Sequence, residues 1–138
     1  MADYGVEIRT TGPSAAAVPL GEVTFEHHRA ARARIRMDVM SGGHLLHLAV
    51  AACLFNDILG EARARGIAVT DLQVTADGAF GGDPVASTGI TYAVVLVGDA
   101  PEPELRRLVA DCEATATIPR ALSQGVDVRG TTVDVRRT

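Results

Sequence analysis

Residues 44–66 read HLLHLAVAACLFNDILGEARARG, and this stretch decides the fold. Its first half is apolar on nearly every side, from Leu45 through Leu59, with Cys53 in the middle and Asn56-Asp57 as a polar interruption. The spacing predicts a helix from His44 to about Arg65, with Gly66 suited to end it. A helix apolar on every side must be buried on every side. A chain of 138 residues struggles to wrap such a helix completely. A second subunit solves that problem, so the pattern favours a homodimer. Glu61 to Arg65 is charged and is expected to emerge into solvent.

Strand patterns flank the helix. Val6 and Ile8 alternate with charged neighbours, and Thr11 to Ser14 reads as a turn. Val23, Phe25 and His27 form a second alternating run, and Ile35, Met37 and Val39 a third. After the helix, Leu72, Val74, Ala76 and Phe80 share one strand face, and Gly81-Gly82-Asp83-Pro84 is a turn. Ile90 to Val97 is apolar on both faces, which predicts a central strand. Asp99 is placed to cap a helix opening near Pro101, and Leu105, Leu108, Val109 and Cys112 lie at helical spacing on its inner face. A short helix around Pro119 to Ser123 and a closing strand, Val126 to Val135, kinked at Gly130, complete an α+β chain read as one domain over residues 1–138.

Composition excludes several classes. Hydrophobic residues make up 47% and charged residues 22%, ample for a core. The net charge of −4 argues against nucleic acid. All thirteen basic residues are arginine, so any one of them can be a plain surface charge. The longest apolar stretch, Leu45 to Leu59, is interrupted and too short for a bilayer, and Met1 to Arg36 has no signal-peptide pattern. A cytoplasmic location is expected, with no membrane and no cofactor. Cys53 and Cys112 form neither a CxxC nor a zinc spacing.

The stretch His44 to Asp57, with Ala51-Ala52-Cys53 at its centre, resembles the OsmC/Ohr family. So do Gly66-Ile67-Ala68-Val69 followed by a strand, Pro103-Glu104-Leu105 and Pro119, and the likeness runs from about Met37 onward. The resemblance implies an OsmC-like fold, antiparallel sheets packed on a buried central helix in an intertwined homodimer. It also implies reduction of organic hydroperoxides by a cysteine on that helix. In the family a glutamate near the helix start and an arginine from the N-terminal strands activate the cysteine. A second cysteine before a proline resolves the sulfenic acid. Here Cys53 matches the first cysteine, the glutamate position holds Gly43, and the resolving position holds Ile118. The arginine is Arg9 or Arg36 by this reading, with Arg36 placed at the site.

The residues themselves leave alternatives open. A buried cysteine serves as a small hydrophobe or, with positive charge or donors nearby, as a nucleophile. Asp57 lies one turn after Cys53, and a carboxylate there works against a thiolate unless an arginine offsets it. Asn56 can donate to a thiolate or a substrate oxygen. Asn56-Asp57 is either a structural network across a dimer or a pocket acid, base or ion-pair partner. His44 and His47 lie roughly 60° apart in helical projection, and HxxH alone lacks a third ligand, so no metal is expected. His47 is expected to line a pocket as base or donor; His44 reads as structural. Cys112 is a core cysteine or a displaced resolving cysteine. The expected site is thus Cys53, Asp57, His47, Arg36 and Cys112 for chemistry, with Asn56, Leu46 and Val50 against a small organic molecule or hydroperoxide. Two function classes remain: a thiol peroxidase acting through Cys53, and a non-redox pocket protein using His47, Asn56, Asp57 and an arginine.

Overall fold

The computed structural model describes residues 4–10, 21–126 and 128–136. The expected turn at Thr11 to Ser14 lies outside them. The strands β1 (Gly21–His27) and β2 (Ala30–Met37) form an antiparallel hairpin, with Val23 opposite Ile35. Expected to reach Val39, β2 stops at Met37, because the next residues bend into the helix. There Ser41 caps α1 (Gly42–Ala64), its hydroxyl accepting from the His44 N–H at 3.1 Å. At the far end Gly66 takes a φ of +69°. Its N–H donates to Arg63 O at 3.1 Å, and the Ile67 N–H to Ala62 O at 2.9 Å, a Schellman termination.

A second antiparallel hairpin follows, β3 (Val69–Gly81) and β4 (Ala86–Gly98), with Val74 opposite Val94 and Leu72 opposite Leu96. These faces pack with α1 and α2 (Glu102–Thr115) around Ile58, Ala62, Ile67, Leu108 and Cys112. A second cluster, Val50, Leu54 and Ala116, joins α1 to β3, β4 and α3 (Thr117–Gln124). The Tyr92 hydroxyl donates to Glu113, tying β4 to α2, and this bond pushes the phenol up to about 12.

Within this one chain the α1 helix buries one stripe, Val50, Ala51, Leu54, Ile58 and Ala62, and leaves Leu45 39% exposed. Several other expectations are corrected. The strand β4 is not central: among the described residues it pairs with β3 alone. Among the described residues no strand forms at Val6–Ile8 or at 126 and 128–135; Val6 is 98% exposed and Val128 92%. Alternation supplies a face, but a strand also needs a neighbouring edge for its backbone groups, and these segments have none among the described residues. Asp99 does not cap α2; its carboxylate accepts from the Ala68 N–H at 2.6 Å, fastening β3 to the end of β4. At 23 residues α1 is long and apolar enough to cross a bilayer by length and composition alone. It carries Asp57, Glu61 and Arg63, and packs against β3, α2 and α3.

Candidate functional site

Cys53 sits half-buried on α1 against the cluster of Val50, Leu54 and Ala116. Its Sγ donates to Asp57 Oδ2 at 3.9 Å, the i to i+4 contact that a helix turn enforces. Asn56 Nδ2 donates to Asp57 Oδ1 at 3.5 Å, and Asn56 Oδ1 is buried with no partner among the described residues. A buried acceptor left unpaired carries a desolvation cost of about 1–3 kcal/mol, so this oxygen is suited to receive a donor from a bound molecule. Among the described residues Asp57 forms no ion pair.

The arginine that reaches α1 is Arg29, at the turn between β1 and β2. Its Nη1 donates to the Asn56 carbonyl at 2.9 Å. Gly60 makes this possible: a Cβ there would stand 2.2 Å from Arg29 Nη1 and 2.9 Å from its Cζ. Gly60 follows Cys53 by seven residues, about two turns, so both lie within roughly 20° on the helix face. The same hairpin turn docks through His27, whose ring meets Phe55 edge-on at 5.2 Å and whose Nδ1 accepts from the Arg29 N–H at 3.0 Å. Burial, then His28 and Arg29, hold His27 below its usual 6.5. Arg36, the expected arginine, stands exposed on β2 opposite Glu22 with no side-chain bond among the described residues. The signal for Arg29 was present as Gly60, a residue unfavourable inside a helix unless something packs against its bare Cα.

The other expected residues divide. His47 lies roughly 120° around α1 from Cys53. Its Nδ1 donates to Gly43 O at 2.6 Å, so the neutral ring presents Nε2 as an acceptor. That Nε2 is buried with no partner among the described residues, facing Gly78 of β3, with Phe80 edge-on at 6.0 Å. His47 therefore belongs to the β3–β4 side and does not join Cys53. Leu46 is half-buried and shares the Cys53 face, whereas Val50 is 3% exposed and lies in the core, closed to a substrate. His44 serves the helix start, its ring nitrogen 2.6 Å from Ser41 Oγ.

Cys112 is 4% exposed among Ile58, Ala62, Ile67 and Leu108, a different cluster from that of Cys53. Burial first, then the charges of Asp57 and Glu61, push its thiol up to about 11. Both cysteines are free thiols. Ile118 packs against the same cluster as Cys53. Among the described residues no three His, Cys, Asp or Glu side chains converge to hold a metal ion.

Comparison with known proteins places this arrangement. The chain is similar in structure to an OsmC-like hydroperoxide resistance protein from Jannaschia sp. CCS1, at 18% identity over 78% of this chain and 79% of that one, with a TM-score of 0.50. It is also similar to an OsmC-like protein from Mycoplasma pneumoniae, at 15% identity over 76% of this chain and 86% of that one, with a TM-score of 0.56. No curated protein matches by sequence. These likenesses establish the fold, an α+β architecture with two antiparallel sheets and three helices among the described residues. The family model for OsmC-like protein matches residues 36–130, and the chain belongs to the OsmC-like family.

Proposed function

We propose that the protein reduces organic hydroperoxides through Cys53, as a homodimer. The observation that carries this reading is the Cys53 thiol, accessible in part and within 3.9 Å of a carboxylate that can take its proton. Asp57 accepts the Sγ proton as sulfur attacks the outer peroxide oxygen. The O–O bond breaks, and the departing alkoxide takes the proton from Asp57, giving Cys53 sulfenic acid and an alcohol. A thiol from solution then condenses with the sulfenic acid, releasing water, and a second thiol frees Cys53 as a disulfide of the reductant forms. Cys112 stays out of this cycle because it is buried in the other cluster and its thiol is held protonated. A second copy would cover Leu45 and the outer face of β4, where Val95 is 51% exposed.

A non-redox pocket is the second reading. It is favoured by the unpartnered Asn56 Oδ1, together with Gly43 and Ile118 at the positions where the family carries its glutamate and resolving cysteine. Intact-mass analysis with one equivalent of cumene hydroperoxide separates the two. Hydroperoxide reduction requires one added oxygen at Cys53, or a mixed disulfide when a thiol is present, in wild type and Cys112→Ser but not in Cys53→Ser. An unchanged mass in wild type refutes it in favour of the non-redox pocket.

A further inference from the structure

At the C-terminal end of α1, beside the β1–β2 turn, lies an open concavity of about 370 Å³. Half-buried Leu59 and Val69 contribute an apolar floor, backed by the core residues Ala62 and Ile67, and Arg29 and Arg63 stand on its walls. Among the described residues no carboxylate lines it. Among the described residues neither arginine forms an ion pair. The contrast is Arg65, on the same helix end, which Glu61 and Asp111 hold at 3.0 Å and 2.8 Å. Arg29 is also pre-positioned, because its Nη1 is fixed on the Asn56 carbonyl over the bare Cα of Gly60, leaving its other N–H groups to donate. Side chains fixed before a ligand arrives lose less freedom on binding.

We propose that this concavity binds a small amphipathic carboxylate, with the carboxylate held between Arg29 and Arg63 and the alkyl chain on the apolar floor. Guanidinium suits a carboxylate because its fork matches two oxygens at once. The negative end of the α1 dipole opposes an anion here, but it amounts to about half a charge against two full positive ones. The last-turn carbonyls of Ala62 and Arg63 are moreover already occupied by the N–H groups of Ile67 and Gly66. The site does not depend on Cys53 chemistry, since none of its lining residues takes part in that reaction.

The test uses the full chain and octanoate, with octanol as the neutral probe, followed by amide chemical shifts. Octanoate is expected to shift the amides of Leu59, Ala62, Ile67 and Val69 at millimolar concentration, to bind at least several-fold more tightly than octanol, and to weaken with salt. Arg63→Ala should weaken octanoate roughly tenfold, the scale of one charge-assisted contact. Gly60→Ala should weaken it by unseating Arg29, while Cys53→Ser should bind as wild type does. Equal binding of octanoate and octanol, shifts confined to other surfaces, or full affinity in Arg63→Ala would overturn the proposal. Arg63 makes no side-chain bond among the described residues, so its replacement reports on binding without disturbing the fold.

Discussion

Two glycines with similar apparent crowding should respond to alanine very differently. A Cβ on Gly78 would stand 2.4 Å from the Gly89 carbonyl oxygen and 2.5 Å from His47 Nε2. The first of these is backbone of the neighbouring strand, so β3 and β4 must part or shift, at an overpacking cost of about 1–3 kcal/mol. If His47 swings away it also gives up its bond to Gly43 O, about 1 kcal/mol more. Gly78→Ala should therefore destabilise by about 2–4 kcal/mol. The nominal overlap at Gly60 is as close, 2.2 Å, but the atom met is the end of the exposed Arg29 side chain, which can withdraw. Withdrawal loses one solvent-exposed hydrogen bond, about 0.5–1.5 kcal/mol, while alanine in a helix interior gains about 0.8–1.0 kcal/mol over glycine. Gly60→Ala should sit within about 0.7 kcal/mol of wild type. Urea melts followed by circular dichroism measure both, provided the slope is unchanged. Gly78→Ala melting with wild type, or Gly60→Ala losing as much as Gly78→Ala, would refute the geometry given for both hairpins.

Leu54 has no exposed surface, so Leu54→Ala should cost about 2–5 kcal/mol. Leu45→Ala, at a 39% exposed position, should cost less than half as much in melts at low protein concentration, and equal costs would contradict the one-sided burial of α1. Asp57 takes two side-chain bonds and no ion pair among the described residues, so Asp57→Ala should cost about 1–2 kcal/mol, well below the loss on breaking a buried ion pair. A change near zero would remove it from the half-buried network. For Cys112 the folded thiol titrates at about 11 against an ordinary 9.0, so the folded state binds more protons between these values. Its contribution to stability is full below pH 9.0 and is lost as pH rises toward about 11. Iodoacetamide at pH 8 should label Cys53 well before Cys112, and Cys112→Ser should flatten the alkaline loss of stability; equal labelling rates for the two thiols would show that Cys112 is accessible.

Much of the architecture was legible because it is local. Periodicity marked α1 and its end at Gly66, the β3–β4 hairpin with its glycine turn, and the inward face of α2 with Cys112, since each depends on side-chain alternation or backbone freedom within a few residues. The contact of Cys53 with Asp57 was legible for the same reason, being one helical turn. What joins distant segments was not. Arg29 meets α1 across 27 residues of sequence, and nothing in its own neighbourhood distinguishes it from Arg36. Only the packing of the hairpin turn over Gly60 selects it. Asp99 carried a capping pattern, but tertiary structure offered the Ala68 N–H, and a carboxylate takes the donor that folding brings nearest. His47 and Cys53 share a helix, yet the direction each faces depends on where β3 and α3 dock. The valines near residues 126–135 alternate like a strand, but alternation alone cannot provide the neighbouring edge that its backbone hydrogen bonds require.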